Sequence, residues 1–361
     1  MEEPKSSVSS NATHLSVNAW PSPLARMRIG PALVVWLLFL LICFGLGYPT
    51  LNRYDPRTTG SPDSAQYYNL VTGGPQDSEK HFRYRVLVPL LAKPFYWLAK
   101  GLVGTWDPAL FGLLVANALL CATTAFLLVH VGCKVMGDYA TALSGGTLYL
   151  LNFTISNSHL SGLVDSGEGC LLMGMGWALF ADNWAVLPLL AIVGALAKET
   201  FVPLAIAFAG SWWLVAGRQD GFRLSRIAWV SIMATAGLAT VTVLQSILSR
   251  HVMWPWDIVT AMRSSVSFLT GLLLCVLDPN FWYVFMWLVP LGVWRLGRLP
   301  QPWVWASSIA ALIALALGAY HDSRGSNVAR AMFNAAGPIL SLSVAALLTT
   351  SSAALRCRLR K

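Results

Sequence analysis

Residues 108–132 read PALFGLLVANALLCATTAFLLVHVG, a run of 25 residues without Asp, Glu, Lys or Arg. A helix rises 1.5 Å per residue, so about 20 apolar residues cross a hydrocarbon layer about 30 Å thick. This run therefore predicts a membrane-spanning helix. Similar apolar runs recur on both sides of it, along nearly the whole chain.

The composition is that of a membrane protein. Of the 361 residues, 56% are hydrophobic and 11% are charged, whereas a soluble domain carries about 25% charged residues. The mean hydropathy is +0.59. These values exclude a water-soluble enzyme. The net charge of +9 does not indicate nucleic-acid binding, because the basic residues are dispersed at the ends of apolar runs, as membrane anchors are.

The apolar runs predict an all-α, polytopic membrane helix bundle with about ten transmembrane helices, in a range of roughly 9 to 12. We place the spans at 31–48, 108–132, 139–155, 166–181, 184–198, 200–216, 227–248, 281–297, 303–320 and 331–355. Segment 264–277 is predicted as a re-entrant or interfacial helix. Counting it as a full crossing would move the basic C-terminus to the opposite face.

We predict a single transmembrane domain over 31–355, between a disordered tail at 1–30 and a basic tail at 356–361. The excess of Lys and Arg in short loops on one side predicts that both termini are cytoplasmic. The sequence shows no convincing cleavage site for a leader. Together with the compact loops, this favours a bacterial plasma membrane.

The first outer loop, 49–107, is the longest polar interruption of the chain and is rich in aromatic residues. Its second half, 86–103, mixes apolar residues with Lys93 and Lys100. This pattern is typical of a helix in the interface plane with aromatic anchors. A tight transmembrane hairpin is the alternative interpretation of 86–103.

Two aspartates of this loop are candidates for chemistry. Asp63 precedes Tyr67 and Tyr68, and a carboxylate beside aromatic rings at a membrane surface can act as a general base. It could equally cap the helix that follows. Asp55 precedes a proline, so the competing interpretation is that Asp55 belongs to a turn.

Several cations interrupt or begin apolar segments. Arg83 and Arg85 precede one, where they could bind a phosphate bidentately or serve as snorkelling anchors. Lys198 separates two apolar helices and is followed by Glu199, so a helix-ending ion pair is the alternative there. The positive charge of Arg330 lies at the start of the last helix, where the helix macrodipole is also positive. Arg330 is therefore predicted to face an anion, such as Asp322.

No cofactor is predicted. His159 and His321 match no strong ligand spacing with Asp165 or Asp322, and a divalent metal is left as the alternative. The six cysteines show neither a zinc spacing nor a disulfide framework, and we interpret them as small core residues.

The pattern resembles the GT-C superfamily of polytopic glycosyltransferases, which use sugars carried on polyprenyl phosphates. The matching pieces follow the order of that family over most of the chain. They are Asp63 with Tyr67 and Tyr68, Phe82-Arg83-Tyr84-Arg85-Val-Leu-Val-Pro89, Asp165 at an outer helix start, Ala197-Lys198-Glu199-Thr200, and Arg330 with Pro338. The resemblance implies a GT-C-like helical bundle and a catalytic carboxylate in the first outer loop, which falls on Asp63, with Asp55 in reserve.

By this resemblance the chain is expected to be a hexosyl- or pentosyltransferase with a polyprenyl-phosphate-linked sugar donor and a lipid, glycan or protein acceptor. The leaving group departs as an anion and needs cations nearby. We assign that task to Arg83, Arg85, Lys198 and Arg330. Further candidates for substrate contact are Glu199, Asp165, Tyr67, Tyr68 and His321.

A transporter or flippase for an anionic lipid or solute is the alternative function. Transporters bind their substrates near the bilayer midplane, whereas the predicted charges gather at one face, which favours an enzyme. Convergence of Asp63, Arg83, Lys198 and Arg330 in one pocket would favour an enzyme, whereas scatter over separate faces would favour a third class, a structural or assembly subunit of a membrane complex.

Overall fold

The computed structural model describes residues 29–53, 62–79, 82–102, 104, 106–261, 266–321 and 328–359. Within these ranges the chain is helical and contains no β-strand, which confirms the predicted all-α class. The candidate residues Asp55 and Asp322, and nearly all of the predicted tail 1–30, lie outside them. The last helix continues to Leu359, into the segment 356–361 that was predicted as a tail.

The described ranges hold fifteen α-helices. The first seven are α1 (Ile29–Arg53), α2 (Pro62–Thr72), α3 (Leu87–Leu102), α4 (Pro108–Met136), α5 (Tyr139–Leu150), α6 (Asp165–Phe180) and α7 (Leu187–Ala197). The next eight are α8 (Phe201–Asp220), α9 (Leu224–Ser249), α10 (Pro255–Ala261), α11 (Phe268–Leu277), α12 (Pro279–Phe285), α13 (Leu288–Val293), α14 (Gln301–His321) and α15 (Val328–Leu359).

Six of these helices, α1, α4, α8, α9, α14 and α15, are long and apolar enough to cross a membrane. A seventh crossing results if α11 and the following segment 279–293, bent by 59° relative to each other, form one broken span. These helices are compatible with a multi-pass membrane protein. The bend falls at Asp278, whose side chain accepts a hydrogen bond from the backbone N–H of Asn280 and so caps the next helix.

The predicted spans 139–155, 166–181 and 184–198 correspond to the shorter helices α5, α6 and α7, of 12, 16 and 11 residues. At 1.5 Å per residue, none of the three reaches the roughly 30 Å of a hydrocarbon core. By length and composition the described part of the chain therefore supports six or seven crossings.

Helices α4 and α15 lie at the centre of the bundle. In each, 72% of the most apolar window is buried, against 22% in α1 and α9. The core around them includes Leu128 of α4 and Phe333 of α15, and the Phe333 ring stacks on Tyr149 with the ring centres 5.2 Å apart. α1 and α9 therefore lie at the rim, where their exposed apolar side chains are suited to contact lipid.

Residues 87–102 form one continuous helix, α3, so no hairpin turn falls within them and the hairpin alternative is not seen there. α3 packs closely against α4 and leaves Trp97 and Leu98 exposed on its other side. Lys100 lies over the ring of Tyr96, 5.6 Å from its centre. This arrangement fits the amphipathic helix that the sequence predicts, although its position relative to a membrane stays a prediction.

The contact between α3 and α4 depends on Gly112. A Cβ at this position would lie 2.7 Å from the backbone oxygen of Ala92 and 3.1 Å from the backbone nitrogen of Tyr96. We expect Gly112→Ala to lower the free energy of unfolding by about 1–3 kcal/mol, because two backbones would have to move apart. Thermal unfolding in detergent measures the effect. Gly45→Ala, where a Cβ meets nothing within 4 Å, is the matched control, and equal stability of the two variants would contradict this prediction.

Candidate functional site

Two carboxylates of the site lie in the first turn of α6. Asp165 begins the helix and Glu168 follows three residues later, so both side chains lie on the same side of it. The positive end of the helix dipole favours negative charge at this position. Both side chains are buried, with 4% and 0% of their surfaces exposed. Buried carboxylates require partners, and the structure supplies them from two other segments.

The connection between α7 and α8 provides the first partners. Lys198 Nζ donates a hydrogen bond to Asp165 Oδ1 at 2.7 Å and lies 3.9 Å from Glu168 Oε2. Thr200 Oγ1 donates to Glu168 Oε1 at 2.6 Å. This short connection therefore attaches the end of α7 and the start of α8 to the start of α6.

The start of α15 provides the second set. Arg330 Nη1 donates to Asp165 Oδ2 at 3.0 Å, and its Nη2 lies 3.5 Å from Asp63 Oδ2 at the start of α2. One turn along α15, Asn334 Nδ2 donates to Glu168 Oε2 at 2.8 Å and to the backbone oxygen of Asp165 at 3.1 Å. Asp165 is thus shared between two cations, one on each carboxylate oxygen.

A second ion pair adjoins this network through the peptide bond between residues 198 and 199. Arg85 binds Glu199 bidentately, with Nε donating to Oε2 at 3.0 Å and Nη2 donating to Oε1. Its Nη1 donates to the phenol oxygen of Tyr67 at 2.9 Å. A fork of this kind fixes the orientation of the guanidinium as well as its charge.

The ion pairs of the network keep Glu199 and Lys198 charged although both are buried. Burial alone would raise the pKa of Glu199, but the charge and hydrogen bonds of Arg85 outweigh it and lower the pKa. Burial alone would lower the pKa of Lys198, but the carboxylates of Asp165 and Glu168 outweigh it and raise the pKa. For Tyr67, burial is the main influence and raises the pKa, so the phenol keeps its proton at neutral pH.

Asp63 differs from the other carboxylates by its accessibility. Its side chain is 27% exposed, whereas that of Asp165 is 4% exposed. Its contact with Arg330 is also longer than either bond that Asp165 makes with its two cations. A ligand entering the site would therefore reach Asp63 before Asp165, because Asp165 is buried and bound to Lys198 and Arg330.

Three candidates make their described contacts outside this network. Arg83 donates to the backbone oxygens of Ser78 and Gln76, at 2.6 and 3.2 Å, and to the side chain of Gln76, so it fixes a turn of the loop. Tyr68 donates to Asp107, the N-cap of α4. His321 ends α14, with its ring against Tyr320. The structure therefore brings Asp63, Lys198 and Arg330 together, and Arg83 does not join them.

Glu168, Thr200 and Asn334 belong to the network but were not predicted from the sequence as site residues. The spacing of residues 165 and 168, and of residues 330 and 334, places each pair on one side of a helix and could have indicated two of these three. Thr200, next to Lys198 and Glu199, has no comparable spacing signal.

No group of three or more His, Cys, Asp or Glu side chains in the described part of the chain is arranged to hold a metal ion. No family model, curated protein or solved structure matches this chain.

Proposed function

We propose that the chain is an integral-membrane glycosyltransferase that moves a sugar from a polyprenyl-phosphate donor to an acceptor hydroxyl at the extracytoplasmic face. The observation that carries this proposal is the convergence of Asp63, Lys198 and Arg330 around Asp165, from four segments distant in sequence. This convergence combines one accessible carboxylate with cations at one end of a helical bundle. A base and an anion-stabilising group are what such a transfer requires.

The charge balance suggests how a donor would bind. The network holds the cations Arg85, Lys198 and Arg330, and each has a carboxylate partner. A donor phosphate must therefore compete with a carboxylate. The contact between Arg330 and Asp63 is the most exposed and the longest hydrogen-bonded ion pair in the network, so it is the one that opens at the least cost.

In the proposed mechanism, donor binding to Arg330 releases Asp63. The freed carboxylate accepts the proton of the acceptor hydroxyl, whose oxygen attacks the anomeric carbon of the sugar. The bond between that carbon and the phosphate oxygen breaks, and its electron pair leaves with the polyprenyl phosphate. The leaving group is already an anion, so no general acid is needed, and a single displacement inverts the anomeric centre.

The direct test is a transfer assay in membranes that contain the protein, with a panel of radiolabelled polyprenyl-linked sugars. We expect label to pass from one of these donors to an acceptor, and to do so only when the protein is present. Movement of the labelled lipid between leaflets without a new glycosidic bond would instead support the alternative, a transporter or flippase. Absence of both activities over the whole panel would contradict the proposal.

Arg330→Gln tests the donor assignment. We expect the KM for the donor to rise by about 10- to 150-fold, the equivalent of one charge-assisted hydrogen bond of about 1.5–3 kcal/mol. The KM for the acceptor should change little. Because KM does not depend on the amount of active protein, the comparison holds even if less of the variant folds. Arg83→Gln is the matched control, since Arg83 binds the turn at 76–78, and an unchanged donor KM in Arg330→Gln would remove Arg330 from phosphate binding.

A further inference from the structure

A cleft of about 230 Å³ lies at the end of the bundle where α6 ends and α9 begins. α6 has 16 residues and so places this cleft about 24 Å from the network at its other end. The cleft is lined by Asp182, Asn183, Trp184, Arg223, Arg226 and Trp229. Its volume is below the roughly 300 Å³ at which pockets for drug-sized ligands begin and is suited to a small polar group.

One arginine of the cleft is buried and fixed. Arg226 Nη2 donates to Asp182 Oδ1 at 2.9 Å, and its guanidinium lies over the ring of Trp184, 5.5 Å from the ring centre. The indole nitrogen of Trp184 donates to the same carboxylate oxygen at 2.6 Å. Asp182 has a φ of 54°, in the left-handed region that side chains rarely adopt. The backbone is thus shaped to hold this carboxylate against Arg226.

The second arginine is uncompensated. Arg223 is exposed immediately before α9, and its guanidinium makes no ion pair or hydrogen bond with the described residues. The first turn of α9 contains no acidic residue and has no side-chain cap. Asp182 is the one carboxylate in the lining, and it is already bonded to Arg226. The cleft therefore carries excess positive charge.

We propose that this cleft binds a phosphate-bearing anion, which in a membrane is the headgroup of an anionic glycerophospholipid. Arginine matches phosphate oxygens through its planar fork, and basic pockets between membrane helices bind anionic headgroups. Trp184 and Trp229 add the aromatic surface that is enriched at headgroup depth. The basic residues near the cleft are those that the sequence places on the cytoplasmic side, whose leaflet carries anionic lipid. This site is independent of the proposed transfer reaction.

The test uses the full chain in neutral detergent and measures the midpoint of thermal unfolding. Phosphatidylglycerol, phosphatidylcholine and inorganic phosphate are titrated separately. We expect phosphatidylglycerol to raise the midpoint in a concentration-dependent way and phosphatidylcholine not to, because a ligand that binds the folded state stabilises it. Arg223→Gln should remove the shift. Arg218→Gln, which removes another exposed cation outside the cleft at the end of α8, should keep it.

Inorganic phosphate could raise the midpoint as much as phosphatidylglycerol does. If Arg223→Gln also removes that rise, the phosphate site is supported and its ligand is a soluble one. A shift that persists in Arg223→Gln, or no shift with either phosphatidylglycerol or inorganic phosphate, overturns the proposal. The guanidinium of Arg223 has no partner in the described structure, so its replacement is expected to leave folding intact and the variant measurable.

Discussion

Replacing Asp63 by asparagine is expected to abolish sugar transfer while the protein stays folded. Asparagine has nearly the shape of aspartate but cannot accept the proton of the acceptor hydroxyl. General-base catalysis contributes about 10²- to 10⁴-fold to a rate, so kcat should fall by at least about 10². The transfer assay with the preferred donor measures this loss. The fold should tolerate the change, because Asp63 is partly exposed and its contact with Arg330 is 3.5 Å long, and such pairs contribute only about 0–1 kcal/mol.

Asp55→Asn is the control for this experiment. Asp55 is the reserve candidate from the same loop, and it lies outside the described residues. We expect it to keep most of the activity. Wild-type turnover in Asp63→Asn would remove Asp63 as the base, and loss of turnover in Asp55→Asn alone would transfer the role to Asp55.

Replacing Asp165 by asparagine is expected to damage the fold itself. Asp165 is buried and neutralises both Lys198 and Arg330. Its loss leaves each of these two largely buried cations with only one longer carboxylate contact, from Lys198 to Glu168 at 3.9 Å and from Arg330 to Asp63 at 3.5 Å. Removing one partner of a buried ion pair costs about 3–5 kcal/mol. We expect a clearly lower unfolding midpoint in detergent and less protein in the membrane, in contrast to Asp63→Asn.

A second variant separates charge from shape at Asp165. In the double variant Asp165→Asn with Arg330→Met, one of the two cations is gone and Lys198 keeps Glu168 at 3.9 Å, so stability should recover in part. Recovery is expected because uncompensated buried charge, rather than the missing carboxylate, is the source of the loss. An unfolding midpoint of Asp165→Asn equal to that of the wild type would show that the two cations do not depend on this carboxylate.

The sequence predicted the long helices well, because their apolar runs are uninterrupted. The spans 108–132 and 303–320 correspond closely to α4 and α14. The short helices α5 to α7 were also predicted as crossings, and these three crossings stay predictions. A helix buried inside a bundle is as apolar as one that faces lipid, so the apolar pattern of a sequence cannot separate these two environments.

For the candidate site, the sequence indicated which charges gather at one end of the bundle but not which of them pair. Arg330 was predicted to face an anion, and in the structure it faces Asp165 and Asp63. These partners lie 165 and 267 residues away along the chain, and only the packing of α2, α6 and α15 brings them together. The cations were predicted to bind a phosphate, whereas in the structure Arg85, Lys198 and Arg330 each bind a carboxylate.

The separation of Asp165 and Arg330 along the chain also means that the two residues are synthesised at different times. A ribosome adds about 5–20 residues per second, so roughly 8–33 seconds pass between the synthesis of the two residues. Lys198 follows Asp165 by only 33 residues, so this partner of Asp165 is made long before Arg330. Until the last helix is made, the second carboxylate oxygen of Asp165 therefore lacks the partner that it has in the folded chain.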